Sequence, residues 1–194
     1  MARADLAGVE KKARRERRTS VFIDESGFYL LPGVVRTYAP CGVTPVLRPH
    51  LTRAHLSVMS GVTPRGQLYT LTRRRPLRSA ECIAFLGRVR RMVGGDLLAV
   101  WDGSPIHRSK EIKAFLAGGG SQFVHLERLP AYAPDLNPDE GVWQHLKHVE
   151  LRNRTCLDLE ELHQEFHQAV GRVRQKPQLA RSVFGGAGLA LGKT

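Results

Sequence analysis

Cysteine is scarce: Cys41, Cys82 and Cys156 are the three in 194 residues. Their odd number and wide spacing give neither a disulfide framework nor a zinc motif. A reducing cytoplasm is the expected setting, with each thiol read as a small buried apolar residue. No signal-type apolar core opens the sequence and no run is long enough to span a bilayer, so neither a secreted nor a membrane-spanning protein is expected. Acidic residues are also few, 18 against 30 basic ones, for a net charge of +12. That imbalance favours a polyanionic partner, most often nucleic acid. Internal repeats are absent. The hydrophobic share of 42% argues against wholesale disorder and suits one domain with a real core.

The basic run Glu10 to Arg18 reads either as a solvated helix or as a phosphate-contacting arm. Too few residues precede the first core strand for a helix-turn-helix. Val21 to Glu25 is a buried strand ending in acid, with Ser26-Gly27 as a turn. Asp24 and Glu25 face opposite sides of it. Tyr38 to Leu47 is a turn-rich loop. Ala54 to Gly61 and Gln67 to Thr72 read as antiparallel strands around a turn. Ser79 to Val93 is helical and Leu97 to Trp101 is a strand buried on both faces, ending at Asp102. A helix over Ser109 to Ala117, a strand over Phe123 to Leu129 and a last helix over Leu157 to Lys176 complete the order. This is a mixed-sheet α/β layout with helices on both faces.

Leu129 to Lys147 joins a strand end, a turn stiffened by Pro130 and Pro134, and a helix start. Asn137 suits the N-cap, Pro138 the first helical position and Glu140 the third. Asn137 and Glu140 also fit a capping box, in which the carboxylate serves only the helix.

Two strands thus end in aspartate, and a helix offers a glutamate. If Asp24 and Asp102 lie on adjacent strands, their carboxylates meet at one sheet edge, where like charges raise one another's pKa. A hard divalent cation removes that cost, and two such ions can activate a nucleophile and stabilise a leaving phosphodiester oxygen. With the basic net charge, a metal-dependent nuclease or strand transferase is the economical reading.

Three blocks carry a resemblance: Phe22-Ile23-Asp24-Glu25-Ser26-Gly27, Trp101-Asp102-Gly103-Ser104-Pro105-Ile106-His107-Arg108-Ser109, and Leu129 to Trp143 with its Asn137-Pro138-Asp139-Glu140 core. They resemble the signature blocks of the DDE transposases, in particular the bacterial insertion-sequence branch of the Tc/mariner superfamily. The resemblance implies a ribonuclease-H-like fold, a mixed five-stranded sheet flanked by helices. It implies cleavage and joining of DNA at transposon ends with Mg²⁺ or Mn²⁺, as two ions. Carried over, the catalytic and metal-binding acids are Asp24, Asp102 and Glu140. Gly103 replaces the family's usual asparagine. Asp139 replaces an apolar residue and is a rival carboxylate that the helix aims elsewhere. The family's N-terminal helix-turn-helix region is expected to be missing, which makes the chain the catalytic half alone.

His107 is expected as a cap or as support for the metal site, and Asn137 as the N-cap beside it. Arg73, Arg74, Arg75, Arg108 and Lys147 are the phosphate contacts to test. Trp101 and Trp143 are expected in the core. The expected organisation is a basic arm over 1–19, the catalytic domain over 20–184 and a flexible glycine-rich tail over 185–194. Partners are DNA, a second copy as a homodimer, and a separate helix-turn-helix subunit, in the bacterial nucleoid without a membrane. Two alternatives remain open: a domesticated ribonuclease-H-like nuclease, and a non-catalytic DNA-binding remnant that inhibits or assists a full transposase.

Overall fold

A computed structural model describes residues 2–31, 36, 38–44, 46, 52–129 and 136–187, with side chains from residue 8 onward. The turn with Pro130 and Pro134, residues 188–194 and part of the Tyr38–Leu47 loop lie outside the described residues.

Among the described residues, five strands form one mixed sheet in the order β3-β2-β1-β4-β5. They are β1 (Thr19–Tyr29), β2 (His55–Val62), β3 (Leu68–Arg73), β4 (Leu97–Trp101) and β5 (Val124–Arg128). The pairs β1–β2 and β2–β3 are antiparallel, while β1–β4 and β4–β5 are parallel. The parallel pairs need crossovers: the chain reaches β4 through α2 (Ser79–Val93) and β5 through α3 (Lys110–Ala117), while α1 (Ala2–Glu16) precedes β1 and α4 (Pro138–His145), α5 (Leu159–Arg174) and α6 (Pro177–Gly186) follow β5.

Strand alternation splits the core in two. Phe22, Phe28, Leu56, Val58, Leu98 and Val100 face α1, α4, α5 and α6. Val21, Ile23, Met59, Ala99 and Trp101 face α2 and α3. Both tryptophans are buried, as expected.

The structure corrects four details. Ser26-Gly27 is not a turn, because β2 continues to pair with β1 through Ser26↔Val58, Gly27↔Ser57 and Phe28↔Leu56. Residues 185 and 186, expected in the tail, end α6, which starts at Pro177 and buries Ala180 and Phe184. The basic segment, read as a solvated helix or an arm, is a helix, and it packs Val9 and Ala13 on the sheet. Lys12 Nζ lies 2.8 Å from His125 Nε2, and Ser20 Oγ donates to Glu10 at 2.6 Å. Cys82 and Cys156 are buried, but Cys41 is exposed. Among the described residues no helix is long and apolar enough to cross a membrane.

Candidate active site

The parallel register of β1 and β4 sets the first two acids. Phe22 pairs with Val100, so Asp24 and Asp102 stand two residues further along neighbouring strands. There β4 stops, while β1 runs on against β2. Asp24 shares the sheet face of Phe22, which is the face covered by α4. The Trp143 indole N–H donates to Asp24 Oδ2 at 3.0 Å. Burial raises the Asp24 pKa to about 7, helped by the charges of Glu140 and Glu25 and opposed by the Trp143 bond.

Glu140 reaches this point through the start of α4. Asn137 caps the helix, its Oδ1 accepting from Asp139 N–H at 3.2 Å, and Pro138 fills the first turn. Glu140 is exposed, and its charge bears on Asp24. Gly141 then permits close packing on α6: a Cβ there would lie 2.7 Å from Val183 Cγ1. The rival Asp139 points inward, where the charges of Asp24 and Glu140 still act on it. It is fully buried, and its Oδ1 accepts from Ser60 Oγ at 2.6 Å. Burial first, then the charges of Asp24, Glu140 and Glu25, favour the neutral acid and raise its pKa well above the carboxylate range, although the Ser60 bond pulls it down.

Asp102 is half-exposed, and its Oδ1 accepts from Ser104 N–H at 2.9 Å. His107 stands between two acids. Nδ1 is 3.0 Å from Asp102 Oδ1 and Nε2 is 2.7 Å from Glu25 Oε1. The ring stacks on Trp101 at 4.1 Å. Burial pulls the His107 pKa down, but the contact with Cys82 and the two carboxylates outweigh it and raise the value to about 10. His107 therefore joins Asp102 to Glu25 instead of facing solvent.

The other expected residues divide. Lys147 Nζ donates to Ser26 Oγ at 2.7 Å, two residues from Asp24 on the same strand. Arg108 is exposed beside His107. Arg73, Arg74 and Arg75 are engaged within the protein: Arg74 pairs with Glu160, Arg75 with Glu81, and Arg73 lies 4.0 Å from Glu81. Their charge is partly neutralised and ties β3 to α2 and α5.

Sequence reasoning missed the Trp143 N–H as a partner of Asp24, Ser60 as the partner of Asp139, and Arg128. The Arg128 side chain passes within 3.9 Å of a Cβ built on Gly103, next to Asp102. The parallel alignment of Trp101 with Arg128 could have revealed it only with the strand order in hand.

A family model described as DDE superfamily endonuclease matches residues 19–163. No curated protein sequence matches the chain. Among solved structures, the chain is similar to the mariner Mos1 paired end complex with Mg, at a TM-score of 0.58 and 18% identity over 93% of this chain and 60% of that one. The Mos1 strand transfer complex gives 0.57 and 18% over 93% and 59%. The catalytic domain of Mos1 mariner transposase gives 0.54 and 15% over 96% and 92%. At these identities the likeness establishes the fold, the ribonuclease-H-like sheet with flanking helices expected from the sequence. The chain spans about 59% of the length of the transposase in the strand transfer complex. With the family model covering most of its length, the chain belongs to the DDE superfamily endonucleases.

Proposed function

We propose that this chain is a transposase catalytic domain that cuts and joins DNA phosphodiester bonds at transposon ends, with Asp24, Asp102 and Glu140 holding Mg²⁺ or Mn²⁺. The observation that carries this reading is Asp24, a half-buried carboxylate pushed up to about 7 by desolvation and by Glu140. Such an arrangement is costly unless a cation occupies it. The donor set is all oxygen, which suits a hard divalent ion. The Mg and Mn of the Mos1 complexes support the same choice. Asp102 is steadied at Oδ1 by the Ser104 N–H and by His107.

Two ions in this site would polarise water, then a freed 3′-hydroxyl, and stabilise the leaving oxygen. The chain's own groups prepare the site. Trp143 fixes the Asp24 carboxylate, and His107 orients Asp102. Lys147 on Ser26, Arg128 beside Gly103 and the exposed Arg108 next to His107 are the preferred phosphate contacts. The paired Arg73, Arg74 and Arg75 rank behind them. A DNA substrate places the chain at the nucleoid. End recognition falls to a helix-turn-helix partner, with two copies bridging two ends.

The test is cleavage of labelled DNA with Mg²⁺, Mn²⁺ or EDTA, beside an Asp102→Asn control. Metal-dependent nicking lost in the variant supports the proposal. Nicking by Asp102→Asn at the normal rate refutes the assignment. Binding without cleavage in either metal favours the non-catalytic DNA-binding remnant.

A further inference from the structure

We propose that Glu25, Cys82 and His107 form a separate binding site for a zinc-class cation, on the sheet face opposite Asp24. Among the described residues, these are the three metal-type donors whose ligand atoms all lie within 4.8 Å of one another. They come from β1, α2 and the 3-10 turn Pro105–Arg108, so no cysteine spacing announces them. Glu25 turns away from Asp24 because successive strand residues alternate.

The chemistry of the donors selects the ion. A thiolate, an imidazole and a carboxylate suit Zn²⁺ and are a poor set for Mg²⁺. Three protein ligands leave a fourth tetrahedral position for water. Cys82 and His107 are buried, while the Glu25 side chain is 22% exposed. Glu25 lines a cleft with Ser26, Ser57, Leu77, Ser104 and Ile106, which gives an ion and its water a way in.

The histidine is oriented for this task. Nε2 faces Glu25 at 2.7 Å, while Nδ1 is 3.0 Å from Asp102 Oδ1 and the ring is fixed by its stack on Trp101. An imidazole that ligates through one nitrogen commonly donates the other N–H to a carboxylate, which fixes its tautomer and raises its basicity. Ligation needs the Cys82 thiolate and a free Nε2 lone pair, so any proton on those two atoms leaves as the ion binds. An ion here also ties the orientation of Asp102 to the opposite face of the sheet.

The experiment titrates the tag-free chain with Co²⁺ and follows thiolate-to-cobalt charge-transfer absorption. The expected result is a band that saturates at one equivalent, is abolished by Zn²⁺ and persists in excess Mg²⁺. Cys82→Ala should remove it. Because Cys82 is buried, a second chain carrying Cys41→Ser and Cys156→Ala, with Cys82 its sole cysteine, should keep it. Asp24→Asn and Glu140→Gln should also keep it, so this result is independent of DNA cleavage. No band at saturating Co²⁺, survival of the band in Cys82→Ala, or its loss from the sole-cysteine chain overturns the proposal.

Discussion

Replacing Asp24 by asparagine should stabilise the metal-free fold while removing a proposed metal ligand. Lifting a carboxylate from its ordinary range to about 7 disfavours the ionised form by roughly 4 kcal/mol. Asparagine keeps an acceptor for the Trp143 N–H and removes the repulsion with Glu140 and Glu25. Its amide N–H groups need partners, at a cost of about 1–3 kcal/mol if left unpaired. The net gain at high pH is therefore about 1–3 kcal/mol, or about 3–10 °C in Tm for a domain of this size. The sign follows from linkage. Below the pKa of the unfolded chain both states are protonated, and the substitution removes no charge. As pH rises towards and through about 7, the folded state resists losing a proton that the unfolded chain has already lost, so the native protein loses stability relative to the variant. The gap should open above about pH 4 and level off beyond the folded pKa. Urea unfolding in EDTA across this range measures it. A gap independent of pH, or a variant less stable than the native protein in the alkaline range, refutes the reasoning.

Three further outcomes are expected. Trp143→Phe removes a donor worth about 1.5–3 kcal/mol to a charged acceptor and should raise the Asp24 pKa by about one to two pH units; NMR titration of the side-chain carboxyl would show no change if the bond were unimportant. Gly141→Ala places a Cβ 2.7 Å from Val183 Cγ1 and should cost about 1–3 kcal/mol. Adding Val183→Ala should recover part of that loss in thermal unfolding, and failure to recover places the strain elsewhere. Ser60→Ala takes away the hydroxyl that bonds Asp139 and should cost about 1–3 kcal/mol. The double variant Ser60→Ala, Asp139→Leu should be closer to native because both polar partners are gone, and equal stability of single and double variants in urea would contradict this.

The sequence determined the features that depend on neighbouring residues. The 2-residue and 3.6-residue periods gave the order of strands and helices. Asn137 and Pro138 defined the start of α4, and alternation put Asp24 and Glu25 on opposite faces. Three blocks of local sequence carried the family resemblance. Periodicity failed where tertiary pairing overrode a local signal: Ser26-Gly27 has turn character, yet β2 keeps it extended. It failed again at α6, where burial of Ala180 and Phe184 against the sheet outweighs terminal glycines.

The tertiary structure alone decided which distant groups meet. Trp143 looked like a core residue and is one, but its N–H also meets Asp24 across 119 positions of sequence. Arg73, Arg74 and Arg75 looked like a free basic cluster, and folding supplied Glu81 and Glu160 as partners. His107 lies between Glu25 and Asp102, with Cys82 beside it, only because β1 and β4 run parallel and α2 covers their shared face. Such encounters depend on strand order and helix placement, which are set by the summed burial of the whole core, and no short stretch of sequence encodes them.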